Sequence, residues 1–176
     1  MCLLLLTAGM VRAQELKTLA DEPATATFAF DLGTEGQTAN FGTAADYFLS
    51  SKVTYGSNLT LLDKNTVGGV NETRFEPTDK EEAAGESNAI RFLIQPKAGY
   101  AFTPKSVTLK ATRYGTDNGL LDFAWQNPNG STVTLDSNVK PARNSEATPI
   151  SSYSYEITGA TPAEGPCGLV VYLYGL

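Results

Sequence analysis

The chain has 176 residues, 41% of them hydrophobic and 18% charged, a size that suits one domain with a substantial core once an N-terminal export segment is set aside. Its formal net charge of −6 argues against a nucleic-acid partner, which needs a basic stripe to meet phosphates. Histidine is absent, which removes the usual general base of serine and cysteine triads and the commonest transition-metal ligand.

Residues 1–13 begin with a leucine run and end on Val11-Arg12-Ala13, the small-residue pattern that a signal peptidase reads. The run is too short to span a membrane. No basic segment precedes it, so the true start is expected upstream, and no lipobox precedes Cys2 to make it a lipid anchor. The mature chain, residues 14–176, is then a single secreted domain. Cys167 is its only cysteine, so no internal disulfide is expected.

Sixteen glycines and nine prolines among many Thr and Ser favour strands and turns. Residues 25–30, TATFAF, have the period of two of a first strand, and residues 31–43 read as loop. Residues 44–49 suit a short helical turn or an edge strand, and residues 55–62 a short strand. Residues 63–87 form a long polar stretch with Gly68-Gly69 and the charge run Asp79-Lys80-Glu81-Glu82, expected as a solvated excursion or a functional loop.

The strand pattern is clearest downstream. Residues 88–95 put Ile90, Phe92 and Ile94 on one face, and residues 105–113 turn Val107, Leu109 and Ala111 inward with Ser106, Thr108, Lys110 and Thr112 outward. Residues 120–126 and 131–135 flank Asn127-Pro128-Asn129-Gly130, a hairpin signal because Pro presets φ and Asn-Gly accepts positive φ. Residues 153–158 alternate again. Residues 168–174 are apolar on both faces, as in a central strand. A central strand so close to the end suggests that the last strand of the sheet is missing, which would leave an edge prone to association. The reading is an all-β, antiparallel β-sandwich of jelly-roll type.

The candidate site is Arg113-Tyr114-Gly115-Thr116-Asp117-Asn118, joining two clear strands, together with Arg143 and Asn144 in the run Lys140-Pro141-Ala142-Arg143-Asn144. Tyrosine, arginine, aspartate and asparagine supply the stacking face and paired hydrogen bonds that sugar hydroxyls require. Arg113 shares parity with the inward residues of its strand and needs an acidic partner, Asp117 or Asp122, and a purely structural salt bridge is the competing reading. Trp125 shares parity with Leu121 and Phe123 and is expected in the core.

Asp117, Asp122, Glu146 and Glu156 are carboxylates available to a glycosidase, but the sequence gives no such pair. Asp117, Asn118 and Asp122 offer oxygens to structural calcium with spacing unlike an EF-hand, and no other cofactor is implied. The glycosylation triplets at Asn58, Asn71 and Asn129 carry little weight in a bacterial host.

The segments KSVTLKATRYGTDNGLLDFAW, KPARN and YSYEITGATPAEGPCGLVVYLYGL resemble a β-sandwich module of secreted Bacteroidetes proteins. In that family the module accompanies pectate-lyase-like and other polysaccharide-degrading domains. The resemblance implies a galactose-binding-like jelly roll, a polysaccharide or oligosaccharide partner, and a catalytic domain only in longer relatives. The function expected is a non-catalytic carbohydrate-binding or accessory module. A structural spacer or assembly domain is the alternative, and a lyase or hydrolase is less favoured.

Overall fold

The structure is a computed structural model that describes residues 17–18, 29–30, 39–67, 70–114 and 118–175. Among them the chain is all-β, with no α-helix. Four two-residue strands come first, β1 (Lys17–Thr18), β2 (Ala29–Phe30), β3 (Ala39–Asn40) and β4 (Thr54–Tyr55). There follow β5 (Leu59–Val67), β6 (Val70–Pro77), β7 (Ala89–Ile94), β8 (Tyr100–Ala101), β9 (Ser106–Ala111), β10 (Leu120–Gln126), β11 (Thr132–Val139), β12 (Ser151–Glu156) and β13 (Cys167–Tyr174). Of the first expected strand, residues 29–30 are β2, and the rest lies outside the described residues. Neither a helical turn nor a strand spans residues 44–49. A 3₁₀ turn runs over Gly42–Ala44, and Phe48 makes a strand-like bridge to Pro96.

The main sheet has the order β11-β10-β13-β7-β4, with every neighbour antiparallel. Its centre is β13, CGLVVYLY, whose apolar residues alternate onto two covered faces, as its unbroken hydrophobic run requires. The partners of β13 are β10 and β7, both earlier in the chain, so no following strand is needed to pair it. Against one face of this sheet lies the antiparallel pair β9-β12, giving a sandwich-like layering.

Register explains the packing. Phe123 pairs with Val171 and Trp125 with Leu169, so these side chains share one face. Phe123 is fully buried, and its ring meets Tyr153 at 5.0 Å and Tyr155 at 5.3 Å from the opposing layer. Val107 and Leu109 of β9 reach the same cluster, while Ser106, Thr108 and Lys110 face outward, as the alternation of that segment dictates. Trp125 is buried, as expected, in a second cluster with Phe41, Phe48 and Phe102; the Phe41 and Phe48 rings stack at 4.8 Å.

The long outer edge of the sheet among the described strands is β11, and it is irregular. Pairing with β10 skips residues between Phe123 and Ala124 and again between Leu121 and Phe123, and Asn138 adopts φ +57°. Beside the first irregularity Asp136 pairs with Phe123 and stays exposed, and its Oδ2 accepts a hydrogen bond from Tyr155 at 3.2 Å. Bulges and a charge on the edge strand both discourage edge-to-edge pairing, so the association expected of a bare edge meets a blunted one.

Residues 63–87 differ most from expectation. Their first half completes the β5-β6 hairpin, pairing Leu59 with Pro77 and Val67 with Val70. Their second half is pinned to the buried Asn58, whose Oδ1 accepts from Thr78 Oγ1 at 2.7 Å and from the Asp79 amide at 2.8 Å. Asn58 Nδ2 donates to the Asp79 carbonyl at 2.9 Å, and its backbone N–H donates to the Ser87 carbonyl at 2.9 Å. A buried amide satisfied this way ties a polar segment down as firmly as apolar packing would. Asn58→Ala is expected to lower unfolding stability by about 1–3 kcal/mol, because it strands the Asp79 amide and carbonyl. Urea denaturation measures this, with early proteolytic cleavage within residues 78–88 as a second readout. Buried and fully engaged, Asn58 is also closed to glycosylation in the folded chain.

Candidate functional site

One end of the sandwich is built by the connections that leave β9 and β11. The backbones of Arg113 and Arg143 form a parallel bridge: the Arg113 amide donates to the Ala142 carbonyl at 3.0 Å, and the Asn144 amide donates to the Arg113 carbonyl at 3.0 Å. Side chains reinforce the join. Thr112 Oγ1 donates to the Ala142 carbonyl at 3.2 Å, and the Ala142 amide donates to Ser151 Oγ at 2.9 Å. Two candidate segments separated in sequence by some thirty residues therefore form one surface.

Arg113, Tyr114 and Arg143 are half-buried there, and Asn118 and Asn144 are exposed. Lys140 joins them by donating from Nζ to Asn118 Oδ1 at 2.8 Å. Glu146 Oε1 accepts the Arg143 amide at 2.9 Å, closing the 140–146 loop on itself. Asp117 lies outside the described residues.

The expected pairing of Arg113 with Asp122 gives way to a different arrangement. Arg113 Nε donates to the Pro141 carbonyl at 2.8 Å, so the arginine braces the neighbouring loop. Asp122 Oδ1 accepts from the Tyr174 hydroxyl at 2.7 Å and from the Asn138 amide at 2.8 Å. That contact keeps Tyr174 protonated to higher pH than an ordinary tyrosine, with burial the larger cause and the adjacent carboxylate the next. Asn118 Oδ1 and Asp122 Oδ1, two of the oxygens considered for calcium, are thus occupied by an ammonium in one case and by O–H and N–H donors in the other.

Arg74, on β6, is the site residue that sequence reading missed. Its guanidinium carbon lies 4.6 Å from the centre of the Tyr114 ring, and its terminal nitrogen is 3.5 Å from Glu76 Oε1. Such a contact is worth about 0.5–1 kcal/mol at a partly exposed position, and it covers one face of the ring. No local pattern announces it, because the partners are forty positions apart on different elements. Arg74, Arg113, Lys140 and Arg143 give this end of an acidic chain a local concentration of cationic side chains.

A scan of protein-family models and searches of curated proteins and of solved structures found no match to the chain.

Proposed function

We propose that the chain is a secreted, non-catalytic carbohydrate-binding or accessory module that holds a polysaccharide at the sandwich end formed by Arg113, Tyr114, Asn118, Arg143 and Asn144, with Asp117, outside the described residues, a further candidate by sequence alone. The supporting observation is the convergence of two candidate segments through the Arg113–Arg143 bridge, which gathers a tyrosine, exposed amides and cations on one surface. Those groups suit hydroxyl and ring recognition, and a shallow surface of this kind binds weakly, since few contacts offset the cost of association. In this reading the export signal in residues 1–13, the jelly-roll topology and kinship with Bacteroidetes polysaccharide-utilisation modules belong together.

A spacer or assembly role without a ligand is the second reading, and specific contacts favour it: Arg113 Nε braces Pro141, and Arg74 covers a face of Tyr114. Affinity electrophoresis against pectins, xylans, glucans and mucin glycans separates the two. Retardation by one polysaccharide, weakened about threefold to tenfold by Tyr114→Ala with an unchanged circular dichroism spectrum, is the expected result. A folded sample retarded by none of them gives the spacer reading precedence.

A further inference from the structure

A recess lies at the far end of β10, away from the Arg113–Arg143 surface. It has a volume of about 510 Å³ and runs between the β10-β11 turn, with Asn127, Pro128 and Asn129, and the segment holding Thr161, Pro162 and Glu164. Both walls are fixed by hydrogen bonds. On the turn side, the Asn127 amide donates to the Ser131 carbonyl at 2.8 Å, the Gly130 amide donates to the Asn127 carbonyl at 2.9 Å, and Asn129 Oδ1 accepts from Ser131 Oγ at 2.7 Å. Gly130 at φ +83° permits this turn. Opposite it, Ala163 and Phe102 exchange backbone hydrogen bonds of 2.8 and 3.2 Å and anchor the wall to the core. Gly165 brings the walls together, since a Cβ there would already sit 3.3 Å from Pro128 Cβ.

The lining is chemically selective. It holds amide groups, a hydroxyl, two prolines and one carboxylate, and no cationic side chain. A carboxylate with no cationic side chain beside it in the lining repels anions and accepts hydrogen bonds from neutral hydroxyls. The amides and Thr161 add donors and acceptors, and the proline rings offer an apolar surface to the C–H face of a pyranose ring. The recess is open to solvent along its length rather than enclosed, so a ligand would lie along it with one side exposed. We infer that this groove is a preformed subsite for one or two rings of a neutral oligosaccharide, selecting against uronic acids. In ligand class this rests on the carbohydrate-binding reading above, and in location it is independent of it.

The test is a nitrogen-15 NMR titration of the whole chain with tetrasaccharides of glucose, mannose, galactose and xylose, and with trigalacturonate as the charged comparison. The expected result is a saturable shift of the Asn127, Asn129, Gly130, Thr161, Glu164 and Gly165 amide signals with at least one neutral sugar and none with trigalacturonate. Glu164 is exposed, so Glu164→Ala leaves the fold intact and is expected to weaken the titration about tenfold. Gly165→Val is expected to close the groove and abolish the shifts. Movement of the signals of residues 113–114 and 140–144 alone overturns the groove and leaves the proposed function standing, whereas movement of the groove signals alone does the reverse. Stationary signals at both ends, or equal shifts with trigalacturonate, overturn the groove subsite.

Discussion

Gly168→Ala is expected to remove more than about 3 kcal/mol of stability and to leave little folded protein, because the overlap it creates is with backbone. Gly168 sits near the start of β13, paired with Leu93 of β7 on one side and with Gln126 of β10 on the other. A Cβ at this position falls well inside van der Waals contact of the Phe92 carbonyl oxygen and 3.0 Å from Leu93 Cα. A side-chain neighbour could change rotamer, but a carbonyl in a ladder can retreat only by breaking the pairing that buries Ile94, Cys167 and Leu169. Gly85→Ala is the matched control. Gly85 has extended backbone at φ −158°, and the nearest atom to an added Cβ is Ser87 Oγ at 3.9 Å, so a change within about 0.5 kcal/mol is expected. Urea unfolding of both variants decides it: a Gly168→Ala midpoint equal to that of the parent chain would mean that β13 and β7 are not as close as described.

The elements that were legible in the sequence share a cause. Segments such as Ser106–Ala111 and Ser151–Glu156 bury one face and wet the other, and Cys167–Tyr174 buries both, so position in the sheet is written into local hydropathy. The Asn127–Gly130 turn is equally local, since Pro and Gly fix its dihedral angles. The β5-β6 hairpin carries no such pattern through Asp63, Lys64 and Asn65, and the register shift between Leu62 and Asn65 breaks what alternation there is. The clamp on residues 78–88 was illegible for another reason. It depends on Asn58, an amide that reads as surface until distant carbonyls and amides surround it. At the candidate site, each loop was identifiable from residue type, whereas their union across the Arg113–Arg143 bridge and the approach of Arg74 to Tyr114 are tertiary facts. Of the two carboxylates that parity offered Arg113, Asp122 is engaged by Tyr174 and Asn138, and the Pro141 carbonyl that Arg113 Nε meets instead is a backbone group no side-chain pattern could announce.

Raising the pH is expected to destabilise the fold steeply from about pH 9 upward, with Cys167 as the first group responsible. Its thiol is completely shielded from solvent between β10 and β7, and burial pushes its pKa from the ordinary value up to about 12. A pKa raised in the folded state means that the folded chain holds the proton more tightly than the unfolded chain. The associated stability is therefore fully present below the unfolded value of about 9 and is lost as pH rises toward the folded value. Each pH unit inside that window costs about 1.4 kcal/mol for this single proton, so the total approaches roughly 4 kcal/mol by pH 12. Tyr155, Tyr172 and Tyr174 act in the same direction from about pH 10, because burial, followed by the Asp136, Glu86 and Asp122 carboxylates respectively, raises their pKa values too. Guanidinium denaturation at intervals from pH 7 to pH 11 should show a level midpoint followed by a falling one. Cys167→Ala separates the contributions: it lowers stability at neutral pH by leaving a small void, but its midpoint should hold level about one pH unit further before the tyrosines take over. A parent chain whose midpoint is indifferent to pH across this range, or whose thiol reacts with an aromatic disulfide as fast as free cysteine, would contradict the burial of Cys167 and with it the closed core between the central strands.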